Sequence, residues 1–113
     1  MSYLKINQDD SKPVFEELDF PEEPIAWLDS CYNSLGCSSI ETVRTVIPGI
    51  VLIIDEEGKL WDGWENRINE VASVLRGCLW DPIVGDAILA RVDGENLVSL
   101  TSYDVDRLRR HFS

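Results

Sequence analysis

The sequence predicts an α+β domain: a mixed or antiparallel sheet with about three helices, mainly on one face. Three observations carry this. The chain has 113 residues, 44% of them hydrophobic, which suits one core and one domain spanning 1–113. Its apolar and β-branched runs are strand-length and separated by turn residues. Three further segments carry apolar residues at helical spacing.

Tyr3, Leu4 and Ile6 suggest a first strand. Asp9-Asp10-Ser11-Lys12-Pro13 has turn composition, and Val14-Phe15 with Leu18–Phe20 suggests a second strand returning beside the first. Pro24 suits the first turn of a helix, where its missing N–H costs nothing. Ile25, Leu28, Tyr32 and Leu35 give that helix an apolar stripe, and Gly36 ends it.

Ile40 to Ile47 is mostly β-branched, Pro48-Gly49 turns the chain, and Ile50–Ile54 is apolar throughout. The last run therefore reads as an inner strand covered on both faces. Glu56-Glu57-Gly58 turns again, and Lys59-Leu60-Trp61 is expected to pair back. Asn66 is the expected cap of a helix lined by Ile68, Val71, Ala72 and Leu75 and closed by Gly77. Pro82 to Val92 reads as a long strand with a bulge at Gly85, and Asp93-Gly94 as a hairpin turn to Leu97–Leu100. Thr101-Ser102-Tyr103-Asp104 reads as a capping box with Asp in place of Glu. Val105, Leu108 and Phe112 line the helix that follows.

The order of three features is distinctive: Pro48-Gly49-Ile50-Val51-Leu52-Ile53-Ile54-Asp55-Glu56-Glu57-Gly58-Lys59-Leu60, then Asn66-Arg67-Ile68-Asn69, then Ile83–Leu89 and the Asp93-Gly94 hairpin. It resembles a family of small acidic domains of unknown function carried by phages, plasmids and other mobile elements. The resemblance is close over residues 48–112 and extends to 1–47 only by element order. It implies a compact α+β domain in an accessory-gene setting, where small acidic proteins often oppose host defence. It carries over no activity residue by residue. The family usually has a small apolar or proline-containing loop before its Asn-Arg, so the tryptophans of this chain are a departure.

Net charge is −11 and unevenly placed. Residues 1–66 hold 14 acids and 4 bases, whereas residues 67–113 hold 7 and 6. A chain so charged lacks the basic face that direct nucleic-acid binding needs. The acidic first half, with Glu16, Glu17, Asp19, Glu22 and Glu23, instead suits a basic protein surface, or a mimic of the DNA phosphate ladder. Surplus acid also keeps a small protein soluble. No apolar run is long enough to span a membrane. The opening Met1–Asp10 does not read as a signal peptide, which sets a cytoplasmic expectation.

Cys31, Cys37 and Cys78 form no Cys-x-x-Cys pair and, with His111, have no zinc-site spacing, so free thiols and no metal are expected. His111 lies at the chain end, a poor place for a catalytic base, and no catalytic residue is assigned. Asp55-Glu56-Glu57-Gly58 lacks the alternating ligands of a calcium loop. The most unusual segment is Trp61-Asp62-Gly63-Trp64 with Asn66 and Arg67, since aromatic faces and a guanidinium can hold a base or a partner's side chain.

These features predict a non-enzymatic accessory binding protein with no cofactor. It engages a host protein through the acidic first half and the Trp61–Arg67 loop. The alternative is a protein that sequesters a small nucleotide-like ligand with Trp61, Trp64, Asn66 and Arg67. A weaker alternative is a metal-dependent enzyme built on Asp55, Glu56 and Glu57.

Overall fold

The computed structural model describes residues 2–8, 15–60, 62–78 and 80–112. Among these, the strands are β1 (Ser2–Ile6), β2 (Phe15–Asp19), β3 (Ile40–Arg44), β4 (Ile50–Asp55), β5 (Ala87–Asp93) and β6 (Asn96–Val98). The helices are α1 (Pro24–Leu35), α2 (Glu70–Arg76) and α3 (Ser102–His111). The strands form one antiparallel sheet in the order β2-β1-β5-β4-β3, with β6 also paired to β5. The predicted α+β class is the one observed. The expected turn at residues 9–13, and Val14, lie outside the described residues.

Alternation along the strands sorts the core into two layers. Leu4, Ile6, Ile50, Leu52, Ile54, Ala87 and Leu89 face α2 and α3, which contribute Val71, Ala72, Leu75 and Leu108. Tyr3, Val51, Ile53, Ile88 and Ala90 face α1, which contributes Cys31, Trp27 and Leu35. Two helices thus cover one face and a single helix the other. β4 is buried from Ile50 to Ile54, as expected for an inner strand covered on both faces.

Several local expectations are corrected. The inward stripe of α1 runs through Trp27, Cys31 and Leu35, and Ile25 is 71% exposed. Lys59 and Leu60 belong to a 3-10 turn, Gly58–Leu60, rather than a pairing strand. Asn66 lies within a second 3-10 turn, Trp64–Arg67, and the cap of α2 is Asn69. The reason is a bridge between Ile68 and Val84, which holds the chain extended at Ile68 and delays the helix. Residues 82–86 precede β5 without joining it, because Pro82 and Gly85 (φ 80°) interrupt the run.

The remaining signals act as read. Gly36 and Gly77 close α1 and α2 in the left-handed conformation. The Asp93-Gly94 hairpin joins β5 to β6. Thr101 and Asp104 form the reciprocal capping box of α3.

Candidate functional site

The tryptophan loop is an exposed corner. Trp61 lies outside the described residues. Trp64 is half-buried, and the cation over its ring is the Lys59 ammonium, 5.8 Å from the centroid. Lys59 also pairs with Asp81, which accepts from Arg76 at 2.6 Å. One carboxylate thus occupies both cations beside the loop. Asn66 is exposed. Arg67 is half-buried, and its carbonyl accepts the Gly85 N–H at 2.8 Å. Trp80, next to Asp81, is 96% exposed.

Asn69 makes this corner rigid from inside. Fully buried, it donates Nδ2 to the carbonyls of Ile6 and Gly85 at 2.9 and 3.0 Å, and its Oδ1 caps the Ala72 N–H at 3.1 Å. The family-like Asn66-Arg67-Ile68-Asn69 motif therefore has a structural core in its second asparagine.

The acidic residues follow an edge. β2 ends the sheet order, so one side of it pairs with β1 and the other is open among the described residues. Glu16, Glu17 and Asp19 are exposed along β2, and Glu22 and Glu23 are exposed in the turn that follows. Strand alternation puts Glu16 on the α1 face and Glu17 and Asp19 on the other. Glu23 is committed to capping α1, accepting the N–H groups of Ile25 and Ala26 at 3.2 and 2.8 Å.

A groove on the α1 face adjoins this edge, and no sequence signal announced it. β1 pairs with β5 at residues 87–89 and β6 at residues 91–93, end to end along one edge. The first turn of α1 crosses near their junction and leaves a groove of about 490 Å³ lined by Tyr3, Phe20, Glu22, Trp27 and Leu97 among others. The Tyr3 and Phe20 rings stack with centroids 5.3 Å apart, and Trp27 tilts against Tyr3 at 6.3 Å. Burial pushes the Tyr3 phenol up. The nearby Trp27 indole N–H offsets part of this, and the charges of Cys31 and Glu22 add to it. That N–H falls short of hydrogen-bond geometry and stays buried without a partner. The groove side chains come from positions as far apart as 3, 20, 27 and 97, so only the tertiary fold brings them together.

The acidic turn after β4 is locally satisfied. Asp55 accepts the Glu57 N–H at 2.9 Å, and Ser39 donates to Glu56. Among the described residues no three His, Cys, Asp or Glu side chains converge as a metal site. All three cysteines are free. Among the described residues no helix is long and apolar enough to cross a membrane.

Fold and surface together define a small α+β domain with an acid-lined sheet edge and an aromatic groove beside it. The chain belongs to the DUF3846 family, domains of unknown function, and the match covers residues 1–113 rather than the second half alone. No curated protein and no solved structure matches it.

Proposed function

We propose that this is a non-enzymatic accessory binding protein of phage or mobile-element type, which engages a host protein through the acidic edge of its sheet. The observation that carries the reading is the placement of Glu16, Glu17, Asp19, Glu22 and Glu23. All five are exposed, and they follow one another along a strand that is the sheet's edge among the described residues, and its exit turn. Such an array attracts a basic surface, speeds encounter and repels nucleic acid. The mobile-element setting, and with it a role in opposing host defence, comes from the family resemblance.

Capture from host lysate tests this. Wild-type protein is expected to retain a discrete partner with a basic surface, more strongly at low salt, because screening shortens the reach of surface charge to about 8–10 Å at physiological ionic strength. Replacing Glu16 and Glu17 together by Lys is expected to remove it. Capture indifferent to salt and to those charges overturns the reading. A nucleotide co-purifying with the protein, and lost in Arg67→Ala, favours the sequestering alternative at Trp64, Asn66 and Arg67.

A further inference from the structure

The groove beside the acidic edge has a chemistry of its own. Its floor is aromatic and aliphatic, with Tyr3 and Phe20 stacked and Trp27 tilted against them. Phe20, Trp27 and Leu97 are only half-buried, so the sheet and α1 leave some apolar surface uncovered there. Its charged lining residue is Glu22, and no Lys, Arg or His lines it among the described residues. Because Glu23 is tied to the α1 cap, Glu22 is the carboxylate of this turn left to the groove.

We propose that this groove anchors a basic, apolar peptide segment of the partner protein. One aliphatic or aromatic side chain sits on the Tyr3–Phe20–Trp27–Leu97 surface, and a neighbouring Arg or Lys reaches Glu22. The inference rests on the reading of the acidic edge as a protein-binding surface, and it names the chemistry of the partner.

Charge complementarity selects this occupant. An anionic ligand meets Glu22 with no lining cation to offset it. A second copy of the chain brings −11 against −11. A cation-bearing apolar segment satisfies both halves of the groove, since aromatic faces attract ammonium and guanidinium groups as well as apolar ones. A peptide fits better than a small cation because the acids do not stop at the groove. Glu16 shares the α1 face with Leu18, one turn of strand from Phe20, so an extended basic chain leaving the groove continues along β2. The volume of about 490 Å³ exceeds one small ion and lies in the range of sites that hold drug-sized ligands.

The test uses nitrogen-15-labelled full-length protein and a short synthetic peptide alternating Arg with Leu and Phe. Saturable shifts are expected at Tyr3, the Trp27 indole N–H and Leu97–Ser99. Glu22→Gln is expected to weaken binding about two- to fivefold, the size of an exposed ion pair. Phe20→Leu, which keeps an apolar filler but removes the ring, is expected to weaken it more. A thermal melt of each variant shows whether the fold is intact. Shifts confined to Glu16–Asp19 overturn the groove while leaving the acidic-edge reading standing. Equal binding of a peptide with Glu in place of Arg overturns the cation. Equal binding of free arginine or tetramethylammonium overturns the peptide. Groove shifts retained by a protein whose lysate capture ignores Glu16 and Glu17 uphold the groove and sink the edge.

Discussion

Arg91 and Asp104 lock the last helix to the sheet. The guanidinium, on β5, donates Nε and a terminal nitrogen to the carboxylate at 2.7 and 2.6 Å. Asp104 is fully buried at the head of α3, where the Thr101 N–H at 2.9 Å and Arg107 at 2.9 Å complete its partners. One side chain thus closes the capping box, ties the helix to β5 and pairs with two arginines.

Replacing Asp104 by Asn is expected to lower stability by about 3 kcal/mol at pH 7. That is the low end for a broken buried pair, because Arg91 keeps 32% of its side chain in solvent. The Arg91 hydrogen bonds hold the Asp104 carboxyl well below the usual range against the cost of burial, with help from Thr101 and Arg107. A depressed folded-state value means stabilisation that is complete above the unfolded value of about 3.9 and is lost as pH falls through the folded one. Denaturation at pH 7 and pH 3 should therefore show the variant losing less than wild type on acidification. Equal losses would mean that the Asp104 carboxyl is not held below its unfolded value.

Asn69 supplies a second prediction. Asn69→Ala removes a helix cap and leaves the Ile6 and Gly85 carbonyls without their donor, at a cost of at least about 2 kcal/mol. Asn69→Asp keeps the cap but sets a carboxylate against two carbonyl oxygens. Its folded form then holds a proton more tightly than its unfolded form, so its stability should fall as pH rises from 4 to 7. Urea midpoints for the three proteins across that range check the sign. An aspartate variant that gains stability with pH would contradict the donor assignment.

What was legible in the sequence was local. The Thr101–Asp104 box, the Asp93-Gly94 hairpin and the Gly36 and Gly77 stops each depend on residues within a few positions, and each acts as read. One helix start and one helix face were misread for physical reasons. Asn66 and Asn69 both precede the same apolar run, and only the long-range Ile68–Val84 bridge decides between them. In α1, the set Ile25, Leu28, Tyr32 and the set Trp27, Cys31 both fit helical spacing, and the orientation of the sheet chose the second. The groove was illegible because its residues span the chain.

The cysteines differ in environment, and alkylation should resolve them. Burial, with a smaller contribution from Cys37, pushes the Cys31 thiol up to about 12, and its side chain has no exposed surface. The Cys37 thiol is also raised by burial, partly offset by the Ser39 backbone. Iodoacetamide at neutral pH should leave Cys31 unmodified in the folded protein and modify it in urea, because the thiolate is the reactive form. Cys37 should react slowly and faster as pH rises. Peptide mass spectrometry reads all three sites. Rapid native labelling of Cys31 would mean that α1 opens readily from the sheet.

Trp64 separates a structural from a recognising loop. Its ring is half-buried, sits under Lys59 and belongs to neither core layer. Trp64→Ala should therefore cost well under the ~3–5 kcal/mol of a core tryptophan. If partner binding runs through the acidic edge, lysate capture should survive this change and disappear with Glu16 and Glu17 replaced by Lys. If the loop is the anchor, Trp64→Ala should abolish capture at an almost unchanged melting temperature, since hot-spot aromatics carry binding out of proportion to their share of the fold. Melting and capture measured on one preparation distinguish the two. A large drop in melting temperature would show instead that the ring supports the corner held by Asn69, with binding lost only because that corner no longer forms.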